Sequence, residues 1–394
     1  MKHLLVLGAS YSVVPLIRAA KGLGAKVTAA SIPGDYPGFA EADGSLYVDI
    51  TNPEEVLKAA EALGPDGAAT CCMDVGLKAL GRVCSALSLK GPSYEAVTRC
   101  TNKYLMKQAF LQGGVRTPKS VRVSSEEELE KTLEEFAFPI VTKAVDQMGS
   151  RGIYVCRTKQ EARENYGKSL SFSRESYCLV EEYIEGTLFG VEGMIRDGSL
   201  VFALPDGTFA YQGFTPTPIG HYIPAPELES AKAEILKETE KAVRALSFDN
   251  TPFNCDFILR DNVPYCIEAT ARAGANCLPE LISLHYGVNY YEEIARLALG
   301  METSPALGHH IRHEACLSYV LHSKESGILE SIQCDGPEDP RIKEISFNVQ
   351  PGDRIRAYTN GRDRLGQVII AGASAADTSA SLADVLGGIR VNLK

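Results

Sequence analysis

The sequence predicts a protein of mixed α/β and α+β class with three consecutive domains. The first residues form a continuous apolar strand that ends at Gly8, residues 13–24 then have helical spacing, and a second strand follows at 26–30. This β-α-β order is typical of a doubly wound sheet. The middle of the chain has strand patterns joined by short turns. The last part changes to short strand-like runs separated by Gly, Pro and Asp.

Domain boundaries are expected where this pattern changes. The predicted units are an N-terminal α/β domain at residues 1–98, a central domain at 99–305 and a small C-terminal β-rich domain at 306–394. A chain of 394 residues is long enough for two or three domains with separate cores.

The N-terminal domain has no nucleotide-binding fingerprint of its own. Gly8 is followed by Ala9 and Ser10, so the G-x-G-x-x-G pattern is missing, and no G-x-x-x-x-G-K-[ST] pattern occurs in the chain. A dehydrogenase that uses this sheet is therefore not expected. Asp74 follows a predicted strand, and we interpret it as the cap of the next helix rather than as a ligand contact.

Composition excludes several classes of partner. The net charge of -10 and the pI of about 5.4 argue against a general binder of nucleic acid or anionic membrane. No apolar run approaches the roughly 20 residues of a membrane span, and the first residues do not have the pattern of a signal peptide. The eleven cysteines include no C-x-x-C pair, which predicts buried thiols in a reducing cytoplasm.

Two lysines and one loop are candidate anion contacts. Lys103 lies in the first turn of a predicted helix, where a surface lysine is the simplest explanation. Lys143 is the one charged residue of an apolar strand, and burying such a lysine is costly unless it meets an anion. The turn Gly149–Gly152 follows, and its backbone N–H groups can converge on phosphates with help from Arg151.

Residues 205–226 are rich in Gly and Pro and contain His221. We expect a long irregular segment that is either mobile or in contact with a substrate. His221 is a candidate substrate contact, although a structural histidine is the somewhat better explanation.

The strongest polar cluster lies on a hairpin predicted for residues 253–259 and 263–269. Because strand side chains alternate between faces, one face is apolar and the other polar. The apolar face is predicted to carry Phe253, Cys255, Phe257, Leu259, Ile267, Ala269 and Ala271, and the polar face Asn254, Asp256, Cys266, Glu268, Thr270 and Arg272. A loop of odd length would place Asp256 opposite Glu268, whereas a two-residue turn would place them on opposite faces.

Two carboxylates that lie side by side indicate a cation site. They repel each other, and a divalent ion with oxygen ligands relieves that repulsion. Mg²⁺ prefers one or two carboxylates together with substrate phosphates. Arg272 adds a positive fork for a phosphate or a carboxylate. The alternative is an ordinary half-buried strand whose polar face meets water.

Taken in order, these residues resemble the ATP-grasp superfamily. The resemblance rests on Lys103, on Lys143 with its small-residue loop, on Glu181–Ile184, and on the hairpin acids with Arg272, and it covers about residues 1–305. It implies an N-terminal doubly wound α/β domain, a central ATP-grasp domain with a lid subdomain at about 116–184, and a small C-terminal mixed domain.

The resemblance also implies roles for the matching positions. The residues implied to bind ATP are Lys103, Lys143, Gly149, Ser150, Arg151, Gly152, Glu181, Glu182, Tyr183, Ile184 and Glu192. The implied ligands of one or two Mg²⁺ ions, for which Mn²⁺ can substitute, are Asp256, Glu268 and Thr270. Catalysis is implied for Arg272 and Lys143, and substrate contact for His221, Arg272 and Gly274.

The implied reaction is an ADP-forming ligation. ATP would activate a small-molecule carboxylate as an acyl phosphate, and an amine would attack it to form an amide or peptide-like bond. A biotin-carboxylase-like or purine-carboxylase-like enzyme that activates bicarbonate is the nearest alternative, and a non-catalytic nucleotide-binding regulator is another. A cytoplasmic enzyme without nucleic-acid or membrane partners is expected, as a homodimer by family likeness.

Overall fold

The structure is a computed structural model that describes residues 1–147, 149–212, 216–336 and 338–394. Within these ranges, none of the helices combines the length and the apolar character that a membrane crossing requires. The described strands form a parallel sheet near the N-terminus, an antiparallel sheet after it, a long central sheet, and a three-stranded sheet near the C-terminus.

The N-terminal part is a parallel sheet covered by helices. Its strands are β1 (His3–Leu7), β2 (Lys26–Ser31), β3 (Gly44–Tyr47) and β4 (Gly67–Ala69), in the order β3-β2-β1-β4. Its helices are α1 (Val14–Gly22), α2 (Pro37–Glu41), α3 (Pro53–Leu63) and α4 (Leu77–Leu87), followed by α5 (Tyr94–Cys100) and α6 (Lys103–Gln112). The leucines and the valine of β1 are all buried, because a parallel strand is covered on both faces.

The next part, which we call the lid, is an antiparallel sheet with two helices. Its elements are β5 (Ser120–Val123), α7 (Glu126–Glu135), β6 (Ile140–Ala144), β7 (Ile153–Cys156), α8 (Lys159–Phe172) and β8 (Cys178–Glu182), with the strand order β5-β8-β6-β7. Ser125 and Thr158 cap the two helices with their side chains. A small core between sheet and helices holds this unit together.

The central part is built on long antiparallel strands. Its elements are β9 (Thr187–Arg196), β10 (Ser199–Gln212), β11 (Pro216–Ile223), α9 (Lys232–Ala245), β12 (Thr251–Arg260), β13 (Val263–Thr270), α10 (Leu278–Tyr286) and α11 (Tyr290–Ala298). The prediction of an irregular segment at 205–226 is wrong, because β10 and β11 pair through most of it. Its residues 213–215 lie outside the described part of the chain. The pairing has one bulge between Phe209 and Ala210, which lie opposite Gly220 and Pro218.

The C-terminal part continues the central sheet. Its elements are β14 (Ala315–His322), β15 (Gly327–Cys334), β16 (Ile342–Phe347), β17 (Arg354–Ile355), β18 (Arg364–Gly372), α12 (Ala375–Gly388) and β19 (Ile389–Leu393). Strands β14, β18 and β16 extend the central strands to an eight-stranded sheet of order β13-β12-β9-β10-β11-β14-β18-β16. The remaining strands form the sheet β17-β15-β19. The boundary predicted at 306 remains a prediction, and hydrogen bonding of the sheet crosses it.

Candidate active site

The hairpin of β12 and β13 is present, but its turn and register differ from expectation. Asp261 and Asn262 form a two-residue turn in which both have positive φ, as a type I′ turn requires. That turn alone would separate Asp256 and Glu268 onto opposite faces. A β-bulge leaves Ile267 unpaired and shifts the register by one residue. Asp256 therefore lies directly opposite Glu268.

The bulge also changes which side chains are buried. Cys266, expected on the polar face, is fully buried in the core, and Ile267, expected on the apolar face, is only partly buried. Both predictions are wrong for one reason. The bulge reverses the alternation of faces between the part of β13 next to the turn and the part that carries Glu268.

A row of acidic residues crosses the sheet on the face of Asp256. Gly190 of β9 is paired with Asp256 and also with Asp206 of β10. A Cβ on Gly190 would lie 2.7 Å from Asp206 Oδ2, so only glycine at this position leaves room for the Asp206 carboxylate over β9. Burial, followed by repulsion from Glu268, raises the pKa of Asp256 to about 6. Asp206, Asp256 and Glu268 thus concentrate negative charge on one face.

Lys103 meets this row from the first turn of α6. The side chain of Asn102 caps the helix by accepting two backbone N–H bonds, which fixes the position of Lys103. The Lys103 ammonium lies 3.2 Å from Glu268 Oε1 and donates to the carbonyl of Gln147 at 2.7 Å. Lys103 is buried, so its explanation as a surface lysine is wrong.

Two further lysines enclose one buried carboxylate between α6 and the lid. Lys143 Nζ lies 2.5 Å from Glu181 Oε2, and Lys107 Nζ lies 3.5 Å from Glu181 Oε1. Burial alone would raise the pKa of Glu181, but the two lysines lower it. Burial lowers the pKa of Lys107. Two ammonium groups around one carboxylate leave excess positive charge that an anion would neutralise.

Lys107 was not identified from the sequence. The available signal was its spacing of four residues from Lys103, which places both lysines on the same face of α6. Its side chain is almost fully buried and also donates to Thr117 Oγ1 at 2.6 Å.

The segment after β8 contains the residues that the resemblance assigns to ATP. Ile184 is buried, and Tyr183 is partly exposed. The carboxylate of Glu182 accepts from the N–H of Lys119 at 3.4 Å and lies 3.7 Å from Arg260 Nη1. Contact of this segment with a nucleotide remains a prediction.

The loop between β6 and β7 makes a tight turn beside Lys103. Gly149, Ser150 and Gly152 have φ values of 63°, 59° and 70°, in the left-handed region. The carbonyl of Gly152 accepts from the N–H of Ala144 at 2.9 Å, and a Cβ on Gly152 would lie 2.8 Å from Ala144 Cβ. The turn therefore requires glycine at its end, whereas its contact with phosphates, and that of Arg151, remain predictions.

Arg272 is held by Asp74, at the end of the N-terminal sheet. Arg272 Nε donates to Asp74 Oδ1 at 2.7 Å and Nη2 donates to Oδ2 at 3.0 Å. The hydroxyl of Thr270 donates to Asp74 Oδ1 at 2.8 Å. Burial opposes both charges, yet the pair raises the pKa of Arg272 and lowers that of Asp74. The expectation that Asp74 caps a helix is wrong, because its side chain joins Arg272 and Thr270. Metal ligation by Thr270 remains a prediction.

Substitution of Asp74 by Asn should destabilise the protein. It leaves the Arg272 guanidinium, only 13% exposed, without a charged partner. We expect the free energy of unfolding in urea to fall by roughly 3 kcal/mol. Glu54→Gln breaks the exposed ion pair with Arg82 and should cause no measurable change. An equally small effect of both substitutions would contradict this role of Asp74.

The carboxyl of Glu192 is hydrogen-bonded to the backbone of Gly274. Glu192 is fully buried, and both its oxygens accept from the N–H of Gly274, at 3.2 and 3.0 Å. Burial raises the pKa of Glu192 well above its usual value. The contact of Glu192 with ATP that the resemblance implies is therefore wrong, since Glu192 is fully buried. A Cβ on Gly274 would lie 2.4 Å from Leu278 Cδ1 and 2.8 Å from Glu192 Oε2, so Gly274 allows close packing of the loop.

His221 lies beside the acidic row, on β11. Its Nδ1 is 2.6 Å from Asp206 Oδ1, and its backbone N–H donates to Ser318 Oγ at 3.2 Å. The sequence pattern does not single out Asp206, because the Gly and Pro residues of 205–226 obscure the alternation of β10. Asp206 Oδ2 is buried without a hydrogen-bond partner in the described residues.

The acidic row fits a divalent cation. Asp256 and Glu268 are oxygen ligands of the kind that Mg²⁺ prefers. Burial and repulsion from Glu268 raise the pKa of Asp256, which indicates a deficit of positive charge around that carboxyl. The unpartnered oxygen of Asp206 adds to this deficit. Across the described ranges, no three His, Cys, Asp or Glu side chains have metal-binding geometry. Mg²⁺ is typically bound by one or two carboxylates together with phosphate oxygens of a substrate, which the pair of Asp256 and Glu268 would suit.

Comparison with known protein families gives two matches. The ATP-grasp domain model matches residues 100–276, and the model of L-amino acid ligase C-terminal domain 2 matches residues 320–394. The first match contains the lysines, the lid and the acidic hairpin described above. The second begins inside β14.

Three relatives illustrate the similarity. Phosphoribosylglycinamide synthetase from Anaerococcus prevotii shares 35% sequence identity with this chain. Its crystal structure superposes with a TM-score of 0.83, and the match covers 100% of both chains. L-amino acid ligase from Bacillus licheniformis shares the fold, with a TM-score of 0.85, 21% identity and coverage of 100% of this chain and 99% of that one. Alanine–anticapsin ligase of Bacillus subtilis is 27% identical over 253 residues, which are 58% of this chain and 53% of that one. The chain therefore belongs to the ATP-grasp superfamily, as a member of its carboxylate–amine ligase type.

Proposed function

We propose that this protein uses ATP to join the carboxylate of a small molecule, of the amino-acid class, to an amine. The observation that carries the proposal is the placement of Asp256 opposite Glu268, with the Lys103 ammonium 3.2 Å from Glu268. Two of the relatives, an L-amino acid ligase and an alanine–anticapsin ligase, support the substrate class.

The first step transfers the γ-phosphoryl group of ATP to a substrate carboxylate oxygen. The bond from the γ-phosphorus to the bridging oxygen of ADP breaks, and a new phosphorus–oxygen bond forms the acyl phosphate. This step requires in-line positioning and neutralisation of charge more than a base. In this proposal Lys103, Lys143 and Arg272 supply positive charge. Asp256 and Glu268 would hold one or two Mg²⁺ ions, whose charge would favour the transfer.

The second step joins the amine to the activated carboxyl carbon. A carbon–nitrogen bond forms, the carbon–oxygen bond to phosphate breaks, inorganic phosphate leaves and the nitrogen loses a proton. The imidazole of His221, whose Nδ1 is engaged by Asp206, offers its other ring nitrogen to the substrate carboxyl oxygen. Arg272 also binds the substrate carboxyl group in this proposal, and its hydrogen bonds to Asp74 hold Arg272 in position.

Lys107 and Glu181 complete the nucleotide site in this proposal. Their cluster with Lys143 carries one excess positive charge beside the lid, where a phosphate anion would be attracted. The loop Gly149–Gly152 would cover the triphosphate, with Arg151 in contact with it. Residues 181–184 would then contact the adenine. A homodimer in the cytoplasm is the proposed working form.

Cation binding should depend on the protonation of Asp256. Burial and then repulsion from Glu268 raise the pKa of this carboxyl to about 6, although His221 and Arg272 act in the opposite direction. Because a proton competes with the cation, we expect the affinity for Mn²⁺ in the presence of ADP to fall roughly tenfold between about pH 7 and about pH 5. Titration calorimetry at several pH values measures this. A constant affinity would contradict the assignment of Asp256.

In the absence of the cation, the raised pKa of Asp256 makes the protein more stable at low pH, whereas cation binding is stronger at high pH. Since the folded-state pKa of Asp256 lies above its unfolded value, the folded state loses stability as the pH rises from about 4 to about 6. Urea unfolding with and without Mn²⁺ should therefore diverge above about pH 6, because only the cation relieves the repulsion.

The decisive test of the function is release of ADP. The protein is incubated with ATP, Mg²⁺ and pairs drawn from the amino acids and small carboxylates, and ADP and phosphate are measured. A ligase releases both only when a carboxylate and an amine are present. ADP release that depends on bicarbonate would favour the carboxylase alternative, and nucleotide binding without any turnover would favour a regulator.

A further inference from the structure

His221 and Asp206 form a buried pair at one end of the acidic row. His221 Nδ1 lies 2.6 Å from Asp206 Oδ1, and the two side chains are 7% and 1% exposed. They come from the adjacent strands β11 and β10, and Gly190 of β9 separates Asp206 from Asp256. The imidazole therefore lies on the same face of the sheet as the residues assigned to the cation.

Hydrogen bonds also fix the backbone of His221. Its N–H donates to Ser318 Oγ at 3.2 Å, and the Ser318 hydroxyl donates to the carbonyl of Asn276 at 2.7 Å. Ser318 is a buried residue of β14, and Asn276 lies in the loop between β13 and α10. The position of the ring is thus set by three neighbouring segments and by Asp206 together.

Asp206 has fewer hydrogen bonds than a structural carboxylate of the same chain. Its Oδ2 is buried without a hydrogen-bond partner among the described residues. In contrast, Asp339 accepts from the N–H of Arg341 at 2.9 Å through Oδ1 and from the hydroxyl of Ser381 at 2.6 Å through Oδ2. A buried carboxylate with an unpaired oxygen is costly for stability. This cost indicates a role for Asp206 in the site rather than in holding the fold together.

Asp206 is placed to act through His221 and not on a substrate directly. Because its side chain is only 1% exposed, a substrate in the cleft cannot reach it. An ionised carboxylate only accepts hydrogen bonds, so the contact with Asp206 places a hydrogen on His221 Nδ1. In a neutral imidazole, Nε2 then carries a lone pair. Nε2 makes no hydrogen bond within the described chain and is not sealed from solvent.

The second step of the proposed reaction moves one proton. The attacking amine loses it as the carbon–nitrogen bond forms, and the departing phosphate gains one as the carbon–oxygen bond breaks. An imidazole can carry out both transfers, because it accepts and releases a proton near neutral pH. Asp256 and Glu268 are assigned to the cation, so neither of these carboxylates is available for this role.

We propose that His221 Nε2 takes the proton from the attacking amine and passes it to the carboxyl oxygen that leaves with phosphate, and that Asp206 is the positioning residue that keeps a hydrogen on His221 Nδ1. One N–H bond of the amine breaks, one O–H bond of the phosphate forms, and the imidazole returns to its starting state. Asp206 stays ionised throughout. This inference rests on the proposed function, since it assigns the proton of the second step.

Hydroxylamine separates the two steps of the reaction. It attacks acyl phosphates to give hydroxamates without help from an enzyme, and it is largely unprotonated at neutral pH. With ATP, Mg²⁺ and an acid that supports turnover, formation of hydroxamate therefore reports the first step. Formation of the amide from an amine reports both steps. Both products are measured for the intact protein and for each variant.

Asp206→Asn should slow amide formation about 100-fold in kcat, with KM for the amine and the rate of hydroxamate formation changed less than about threefold. An asparagine can donate its N–H to His221 Nδ1, which moves the ring hydrogen to Nε2 and removes the acceptor. Gly190→Ala should give the same pattern, because the added Cβ would lie 2.7 Å from Asp206 Oδ2. Asp43→Asn, at a surface pair with Lys21, is the control and should keep both rates.

A purely structural role of Asp206 would give a different result. The Tm of Asp206→Asn should not fall, because the substitution removes a buried charge with an unpaired oxygen. Equal losses of hydroxamate and amide, or normal amide formation by this variant, would overturn the inference.

Nitrogen NMR of protein labelled with ¹⁵N-histidine tests the pair without any turnover. The chain has seven histidines, and the signals of His221 are identified by their loss in His221→Gln. We expect the hydrogen of the neutral ring on Nδ1 in the intact protein and in Asp43→Asn, and on Nε2 in Asp206→Asn. If no acid gives ADP or hydroxamate, the proposed function fails. A hydrogen on Nε2 in the intact protein, or the same tautomer in Asp206→Asn, would overturn the role of Asp206 alone.

Discussion

Glu268→Gln is expected to reduce ADP formation at least about 100-fold while the protein remains folded. Glu268 faces Asp256 across the hairpin and lies beside Lys103, so its charge helps to hold the cation that the transfer requires. The substitution removes both repulsion from Asp256 and attraction to Lys103, and these opposing changes should leave the Tm nearly unaltered. Steady-state ADP release and a thermal scan measure the two effects.

The control for Glu268→Gln is Glu240→Gln, which removes an exposed carboxylate on α9 that pairs with Arg244. It should retain full activity. Normal turnover by Glu268→Gln would show that the cation site lies elsewhere and would remove the main support for the proposed mechanism.

Glu181→Gln is expected to cause the largest loss of stability. Glu181 is 1% exposed and is the shared partner of Lys107 and Lys143, so the substitution leaves two buried ammonium groups without a carboxylate. Removal of one member of a buried ion pair costs roughly 3–5 kcal/mol. We expect a decrease of that size in the free energy of unfolding, measured in urea.

A second substitution tests the cause of this loss. Combining Glu181→Gln with Lys107→Met returns the cluster to one excess positive charge and should recover part of the stability. Glu130→Gln breaks an exposed ion pair with Arg163 in the same lid and should have little effect. If the double variant is no more stable than Glu181→Gln, repulsion between the lysines is not the cause.

The sequence predicts the central pair of Asp256 and Glu268, but it does not predict the turn and the bulge that bring the two together. An odd loop was expected to bring Asp256 and Glu268 together, whereas the chain uses a two-residue turn and then a bulge at Ile267. A bulge arises from hydrogen bonding between whole strands, and the local alternation of polar and apolar residues does not reveal it. The residues that flank the bulge were therefore assigned to the wrong faces.

The buried charges show what single-residue patterns cannot reveal. Lys143 stood out because it interrupts an apolar run, but Lys107 and Asp206 lie in stretches that are equally compatible with surface positions. The partner of Arg272, Asp74, is distant in sequence and comes from another sheet. Such pairs depend on how sheets pack against each other, which no local spacing encodes. The ATP-grasp fold itself was predicted correctly from the order of several motifs.

The eight-stranded sheet has a consequence for how such proteins diversify. Because β14 pairs with β11 on one side and β18 on the other, the C-terminal residues cannot be exchanged between relatives as a free-standing module without breaking a row of backbone hydrogen bonds. A graft that keeps β14 with its recipient and replaces only the later strands would still need a β18 that matches its register. We therefore expect new partner specificity in this region to come from side-chain changes and from loop insertions between strands.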